Sequence, residues 1–346
     1  MEQPVYKVTI GMPVYNVEDY IKPSLMCALE QDLDDIEILI IDDCGSDSSM
    51  DIIRQMQQAH PHGGRIRIVK HERNLGVAEG RNTILREARG KYIFFQDSDD
   101  FIEKNTLSIL YHAAEEHGAE VTYGSTYIRE NGSDRPYMVF NNTVLKGADA
   151  LANYIYNDIH ENIPNSIWNI LILTDFVRQH HISFPNFRRG EDLMFNEQLQ
   201  PLVTCAVLLP DVTYYYQKRP NSLMSFQSRD VIDVKEVESS LRFSEMQKQY
   251  CQALSSKPYY DRKCAKTMKM IFYSVCGILK HRHQLTGNVS DKAIRDSMRH
   301  PASLLTIMRF RQQKGTNLMF WLMGVLPAKC SVAAMKAIGR KKGYIK

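Results

Sequence analysis

The feature that most constrains the fold is a regular alternation of strand and helix signals over the first 130 residues. The run at 37–42 (EILIID) is almost continuously apolar and ends in an acid, which is typical of a strand buried on both faces. We predict strands over 5–13, 37–42, 66–71, 91–96 and 120–127, and helices over 18–30, 48–60, 77–88 and 106–117. This order predicts an α/β fold with a mainly parallel sheet and helices on both faces. Ligands of such sheets bind beyond the carboxyl ends of the strands.

Composition indicates a folded intracellular protein. Of the 346 residues, 44% are apolar and 24% are charged, as in globular domains. The seven cysteines are scattered without a CxxC pair, which argues against a disulfide framework or a zinc site. The N-terminus lacks a secretory pattern, and the longest apolar stretch, 318–326, is far shorter than the roughly 20 residues of a spanning helix. We therefore expect a cytoplasmic protein, with peripheral contact to the inner face of the plasma membrane left open.

Charge is distributed unevenly along the chain. Residues 255–346 contain 19 Lys or Arg and 3 Asp or Glu, a net charge of +16, whereas the remaining residues carry −13. A basic region of this kind indicates an anionic partner, lipid or nucleic acid, or else a solubilising helical face. Residues 318–342 predict one or two short amphipathic helices broken at Pro327. Such helices lie in a membrane interface or pack on the domain, and the sequence leaves both open.

Three carboxylates directly follow the fourth predicted strand: Asp97, Asp99 and Asp100. Acids this close repel one another unless a cation or hydrogen bonds compensate them. A divalent cation with oxygen ligands provides that compensation and can also bind a diphosphate. The alternative is a solvated acidic turn or a helix cap.

Four segments in this order resemble motifs of the family 2 glycosyltransferases. They are Pro13-Val14-Tyr15-Asn16 (P-x-Y-N), Asp42 to Asp47 (DDGS-like), Asn74 to Asn82 (N-x-G-x-A-x-G-R-N) and Asp97-Ser98-Asp99 (DxD). Each falls after a predicted strand. The second departs from the family pattern because Cys44 precedes the glycine.

The resemblance implies a GT-A-like, Rossmann-type nucleotide-binding sheet and a set of donor ligands. Asp99 would bind the metal, Mn²⁺ or Mg²⁺, with Asp100 in support. The implied donor-binding residues are Pro13 and Tyr15 beside the base, Asp43 on a base N–H, Arg81 as a nearby cation and Asp97 on the ribose.

A fifth match, Gly190-Glu191-Asp192-Leu193-Met194-Phe195, resembles the family's G-E-D-x-x-F. It implies that Asp192 is the catalytic base, with Glu191 as its neighbour or an acceptor ligand, because displacement by a hydroxyl requires one carboxylate near the attacking oxygen. Trp168 lies where the family often has a W-N pair, and it either stacks on the acceptor sugar or packs in the core. Lys218, Arg219 and Ser222 resemble the family's basic loop, and they either bind the diphosphate or form a surface strand end.

We therefore predict a glycosyltransferase domain over 1–230, with a nucleotide-sugar-binding half (1–128) and an acceptor half (129–230), followed by a basic helical region (231–346). The implied reaction is inverting transfer of a hexosyl-type sugar from a nucleotide diphosphate, UDP being favoured, to a carbohydrate or lipid-linked acceptor in bacterial surface polysaccharide or glycolipid synthesis. A Rossmann oxidoreductase is disfavoured because no GxGxxG follows the first strand. The remaining alternative is a non-catalytic nucleotide-sugar- or nucleic-acid-binding protein on a degenerate transferase fold, although we expect no nucleic-acid partner.

Overall fold

The structure, a computed structural model, describes residues 5–130, 132–157, 165–187, 189–218 and 231–345. These residues fall into two compact units, one within 1–155 and 160–219, the other within 156–159 and 220–346. No helix in the described ranges combines the length and the hydropathy that crossing a bilayer requires.

One mixed sheet organises the first unit. Its described strands are β1 (Tyr6–Val14), β2 (Ile36–Asp42), β3 (Ile66–Lys70), β4 (Gly90–Phe95), β5 (Phe101–Ile102), β6 (Val121–Glu130), β7 (Ser133–Met138), β8 (Thr143–Lys146), β9 (Ile170–Leu173) and β10 (Cys205–Gln217). The order is β3-β2-β1-β4-β9-β6-β10-β5, with β7 beside β6 and β8 beside β10. Strands β3, β2, β1 and β4 pair in parallel, which brings their carboxyl ends to one edge.

Seven described helices accompany this sheet along the chain, and the first four lie where the sequence predicts them. They are α1 (Glu18–Leu29), α2 (Ser49–Ala59), α3 (Val77–Glu87), α4 (Thr106–His117), α5 (Ala150–Asn157), α6 (Thr174–Gln179) and α7 (Glu191–Leu199). The predicted α/β class is confirmed, and the elements up to residue 130 begin and end at or next to the predicted residues, except that β6 runs on to Glu130. These elements could be predicted because their sequence signals are local. In β2, for example, all seven side chains are buried, as its apolar run requires.

The sheet differs from the predicted one in its centre. Strand β9 lies antiparallel between β4 and β6 and hydrogen-bonds to both. Strand β10 then extends the sheet in parallel on the far side of β6. Strands from both predicted halves, 1–128 and 129–230, therefore share one sheet, and the boundary drawn at residue 128 does not separate two cores.

The second unit is helical, as predicted for the C-terminal region. Its described helices are α8 (Val234–Ala253), α9 (Tyr260–Lys280), α10 (Asp291–Ser297), α11 (Leu304–Met308), α12 (Lys314–Val325) and α13 (Ala328–Lys341). Pro327 separates α12 from α13, as expected from its fixed φ and missing N–H.

The apolar face of 318–342 packs inside this unit. Phe320, Met323, Val332 and Met335 are buried in a core shared with α9 and α10. Trp321 packs against a second, smaller cluster. The structure thus favours the packing alternative for this face over the interfacial helix.

Candidate active site

The parallel pairing of β1 to β4 places the polar motifs at the carboxyl edge of these strands. Asn16, Asp43, His71 and Asp97 each lie just beyond the end of β1, β2, β3 or β4. Adjacent parallel strands present such residues side by side, which is where α/β sheets bind ligands. All of them belong to the first unit.

The loop after β2 is hydrogen-bonded to the loop after β1. Asn16 Oδ1 accepts a hydrogen bond of 2.8 Å from Ser46 N. A Cβ atom on Gly45 would lie 2.8 Å from that same oxygen, so the close approach requires glycine. Cys44, the departure from the family motif, adopts the left-handed conformation (φ 58°), and its N–H donates to Asp42 Oδ1 at 3.0 Å. Hydrogen bonds from Cys44 N and Ser46 N therefore hold the loop in this conformation.

Asp43 is held by the segment that follows β3. Its Oδ1 accepts from Leu75 N at 2.8 Å and lies 2.7 Å from His71 Nδ1, while its Oδ2 accepts from Gly76 N at 2.9 Å. His71 Nε2 in turn lies 2.9 Å from Thr83 Oγ1. Asp43 is only 4% exposed. The side chain predicted to contact the base is thus fixed in orientation by these neighbours, and the base contact itself stays a prediction.

Gly76 makes that arrangement sterically possible. Its φ is +87°, a conformation that side-chain-bearing residues rarely adopt, and it precedes the first residue of α3.

The acid cluster after β4 contains one carboxylate with a structural role. Asp100 is 1% exposed, and it accepts from Tyr214 Oη at 2.8 Å and from Gln217 N at 2.7 Å. Burial raises the pKa of Asp100 well above its ordinary value, and the charges of Asp99 and Asp97 raise it further. Asp100 therefore ties the loop to β10, while Asp97 and Asp99 stay partly exposed. Support of the metal by Asp100 stays a prediction.

Arg81 is the centre of the site. Its side chain is 4% exposed, and its Nη2 donates to Asp97 Oδ1 at 2.9 Å. Its Nη1 donates to Glu191 Oε1 at 2.9 Å and also to Asp192 Oδ1. Burial works to lower the pKa of Arg81, but the three carboxylates outweigh it and raise the pKa overall. One guanidinium therefore joins the predicted ribose ligand to the predicted base.

Helix α7 presents the two acceptor-side acids at its first turn. Gly190 precedes it with φ 82°. Burial raises the pKa of Asp192 to about 8, because the charges of Glu191 and Asp97 add to the desolvation while Arg81 opposes it. The pKa of Glu191 is raised as well, again chiefly by burial. A carboxylate titrating near neutrality is suited to exchanging a proton with a hydroxyl.

Trp168 lies next to this centre in an aromatic cluster. It forms a bridge with Phe95, the last residue of β4, and is 7% exposed. Its ring stacks on Tyr214 (centroids 4.8 Å apart, 10° between planes) and on Tyr216 (5.7 Å, 6°). The packing alternative accounts for most of its surface. Contact with an acceptor sugar stays a prediction.

The neighbouring Asn169 fastens the centre of the sheet. It is 2% exposed, and its Nδ2 donates to Gly124 O (2.7 Å), Ser125 O (3.1 Å) and Thr126 Oγ1 (2.9 Å). Its Oδ1 accepts from Thr213 Oγ1 at 2.6 Å. The Asn of the W-N pair thus joins β6 to β10.

Three of the remaining predicted residues have different surroundings. Tyr15 is 49% exposed at the carboxyl edge, and Pro13 packs beside Gly80 of α3. Lys218 Nζ pairs with Glu130 Oε1 at 2.7 Å on the surface, not with the acid cluster. Arg219 and Ser222 lie outside the described residues.

The acid loop fits a divalent cation that shares its coordination with a substrate. Asp100 accepts hydrogen bonds from Tyr214 and Gln217, and Asp97 Oδ1 accepts one from Arg81. Asp97 and Asp99 are both partly exposed, and their carboxylates are the candidate ligands. In the described ranges no three His, Cys, Asp or Glu side chains are grouped to hold a metal by themselves. Mg²⁺ is commonly bound by one or two carboxylates together with substrate phosphates, so this donor set suits it.

Comparison with known proteins decides the family. Residues 9–168 match the model described as glycosyl transferase family 2. The chain carries a family 2 glycosyltransferase domain. The match spans the four donor-side motifs and Trp168.

Two relatives of this transferase are informative. It is 26% identical over 282 residues to the uncharacterized glycosyltransferase EpsJ of Bacillus subtilis, covering 80% of this chain and 76% of EpsJ. It is 28% identical over 224 residues to the poly(ribitol-phosphate) β-N-acetylglucosaminyltransferase TarS of Staphylococcus aureus, covering 63% of this chain and 37% of TarS.

Solved structures of TarS have the same fold. A crystal structure of TarS superposes with a TM-score of 0.67 at 18% identity, covering 95% of this chain and 54% of that one. Its complex with UDP-GlcNAc gives a TM-score of 0.59 at 18% identity, covering 95% of this chain and 92% of that one. At these identities the likeness confirms the GT-A fold with a helical C-terminal region.

Sequence reasoning missed several contributors to the site. His71, Tyr214 and Asn169 were not predicted to hold other site residues in place. His71 ends a predicted strand, and Asn169 belongs to the W-N pair. Arg81 was predicted to be a cation near the nucleotide, and in the structure it pairs with three carboxylates. A buried arginine in a helix whose neighbouring loops carry three acids is a signal that could have predicted this pairing.

Proposed function

We propose that this glycosyltransferase moves a sugar, with inversion, from a UDP-sugar to an acceptor hydroxyl. The observation that carries the proposal is the convergence of Asp97, Glu191 and Asp192 on the buried Arg81. It links a donor-side acid and an acceptor-side acid within one hydrogen-bonded group. The family assignment and the UDP-GlcNAc complex of TarS support a nucleotide-sugar donor.

On the donor side, we assign the base to the pocket near Pro13, Tyr15 and Asp43. The ribose is assigned to Asp97 and the metal to Asp99. A bound Mn²⁺ or Mg²⁺ would neutralise charge on the departing diphosphate. Lys218 and the residues Arg219 and Ser222 are proposed to complete the diphosphate site.

On the acceptor side, Asp192 takes the proton of the attacking hydroxyl. Inversion requires that this oxygen approach the anomeric carbon from the face opposite the leaving diphosphate, so a single carboxylate on that face suffices. The carbon–oxygen bond to the acceptor forms as the bond to the diphosphate breaks, and the proton goes to Asp192. Glu191 shares Arg81 with Asp192 and orients it. Trp168 is proposed to contact the acceptor sugar.

We assign residues 1–128 chiefly to the donor and 129–230 to the acceptor. The relatives' names point to cell-envelope polymers: TarS is named for poly(ribitol-phosphate). A surface polysaccharide or glycolipid acceptor, carried on lipid at the cytoplasmic face of the membrane, is the corresponding proposal here. The basic C-terminal region suits such an anionic surface.

A thermal-shift panel of UDP-, GDP- and dTDP-sugars, with and without Mn²⁺, tests the donor proposal. A ligand that binds the native state raises its unfolding temperature, and we expect the largest rise with a UDP-sugar plus Mn²⁺. Hydrolysis or transfer of that sugar, followed by chromatography, then tests catalysis. Stabilisation without turnover by any acceptor would favour the non-catalytic binding protein, and no stabilisation by any nucleotide sugar would refute the proposal.

A further inference from the structure

The short helix α11 exposes three apolar side chains. Leu304, Leu305 and Met308 are 39%, 65% and 54% exposed. Because residues advance by about 100° per position around a helix, these three fall within one arc of roughly a third of the circumference. They form a single projecting surface, which we call the α11 patch.

The opposite side of α11 is fixed in the second unit. Ile307 is fully buried, and with Phe310 it belongs to a core cluster that also contains Tyr260. The rings of Tyr260 and Phe310 meet edge to face at 5.7 Å. Ser303 caps the helix, its Oγ accepting from Thr306 N at 3.2 Å. The patch is therefore held outward by a packed support and is not a loosely attached turn.

Exposed cations follow the patch directly along the chain. From residue 297 to the end, the sequence has ten Lys or Arg and no Asp or Glu. Arg309, Arg311 and Lys314, which directly follow α11, are exposed. No carboxylate in the described ranges pairs with any of these three, whereas Arg282 and Arg299 elsewhere in the unit are paired with Asp291 and Asp296.

We propose that the α11 patch inserts into an anionic lipid surface while Arg309, Arg311 and Lys314 contact the headgroups. Exposed apolar side chains flanked by unpaired cations are the combination that binds such interfaces. This proposal concerns membrane association only and goes beyond the transfer reaction. It replaces the predicted membrane face of 318–342, because Phe320, Met323 and Met335 of that segment are buried in the unit core. Nucleic acid fits less well, because a phosphodiester backbone gives the three apolar side chains no environment to enter.

Flotation of the full-length protein with vesicles tests the proposal. Vesicles of phosphatidylcholine with phosphatidylglycerol should carry the protein upward, and pure phosphatidylcholine should carry far less. The double substitution Leu305→Glu/Met308→Glu should lower partitioning by about tenfold or more, since both insertion and charge attraction are lost. Arg309→Gln/Arg311→Gln should also weaken binding and flatten its dependence on salt.

The matched control is Val5→Glu/Val139→Glu, which places the same two charges on residues 68% and 54% exposed in the first unit. It should float like the wild type. Circular dichroism and the unfolding temperature of each variant verify that α11 remains folded. Equal flotation of wild type and Leu305→Glu/Met308→Glu, or no flotation of the wild type on anionic vesicles, overturns the proposal. So does a wild-type dimer in light scattering that the same double substitution converts to monomer, or binding to duplex DNA that the double substitution abolishes. Loss of sugar transfer has no bearing on it.

Discussion

Arg81 Nη1 lies 2.9 Å from Glu191 Oε1, although 110 residues separate the two along the chain. Arg81 also holds Asp97 and Asp192, so the first turn of α7 and the acid loop after β4 depend on one side chain. The charge on that side chain therefore compensates carboxylates of both segments.

Arg81→Met should destabilise the protein strongly. It leaves three carboxylates crowded without their cation, and breaking a buried ion pair from one side costs about 3–5 kcal/mol. Urea unfolding followed by circular dichroism measures the loss. Arg86→Met, on the same helix, is the control, because Arg86 pairs with Glu79 on the surface and such pairs contribute at most about 1 kcal/mol. Similar unfolding free energies for the two variants would contradict the central role of Arg81.

Asp99→Ala should chiefly lower activity, whereas Asp100→Ala should chiefly lower stability. Removing Asp99 should lower transfer by about a hundredfold or more, because it removes a proposed metal ligand. The unfolding temperature should change little. Removing Asp100 leaves the Tyr214 hydroxyl and the Gln217 N–H without their acceptor, at a cost of about 1–3 kcal/mol each. Turnover against Mn²⁺ concentration and differential scanning calorimetry separate the two. A fully active Asp99→Ala protein would remove that residue from the metal site.

Asp192→Asn should abolish transfer and retain donor binding. The amide keeps the shape of the side chain but cannot accept the proton of the acceptor hydroxyl. Turnover and UDP-sugar affinity by calorimetry are the two measurements. Asp134→Asn, at a surface pair with Arg129, should leave both unchanged. Wild-type turnover in Asp192→Asn would exclude the base role.

The rate of transfer should rise with pH. Burial raises the pKa of Asp192 to about 8, so at pH 6 the group is mostly protonated and cannot act as a base. The value of kcat/KM should therefore increase about tenfold per pH unit below the pKa and level off above it. Measurement from pH 5.5 to 9 with saturating metal is the test. A flat profile over that range would show that another group takes the proton.

The sequence predicts the early elements well because their signals are local. Strand β2 is apolar except for Glu37 and Asp42, and Gly76 directly precedes α3. Both features are visible in a short window of sequence. Strand β9 is different, because four residues carry too little periodicity to be assigned and their place between β4 and β6 depends on long-range pairing.

The motifs located the site, but side-chain partners required the structure. The family resemblance placed Asp97 and Asp192 in separate halves, and only the fold brings both to Arg81. Similarly, helical periodicity predicts an apolar face for 318–342 but does not tell whether that face enters a membrane interface or packs on the protein. In the structure Phe320 and Met335 of this face are buried in a core.

The insertion of β9 has a consequence for synthesis on the ribosome. Until residues 170–173 emerge, the facing edges of β4 and β6 have no partner for their backbone hydrogen bonds. Unpaired edges invite association between nascent chains, and pairings distant in sequence form slowly. Premature release of the N-terminal portion would therefore yield an aggregation-prone fragment, and not a smaller enzyme that still binds nucleotide.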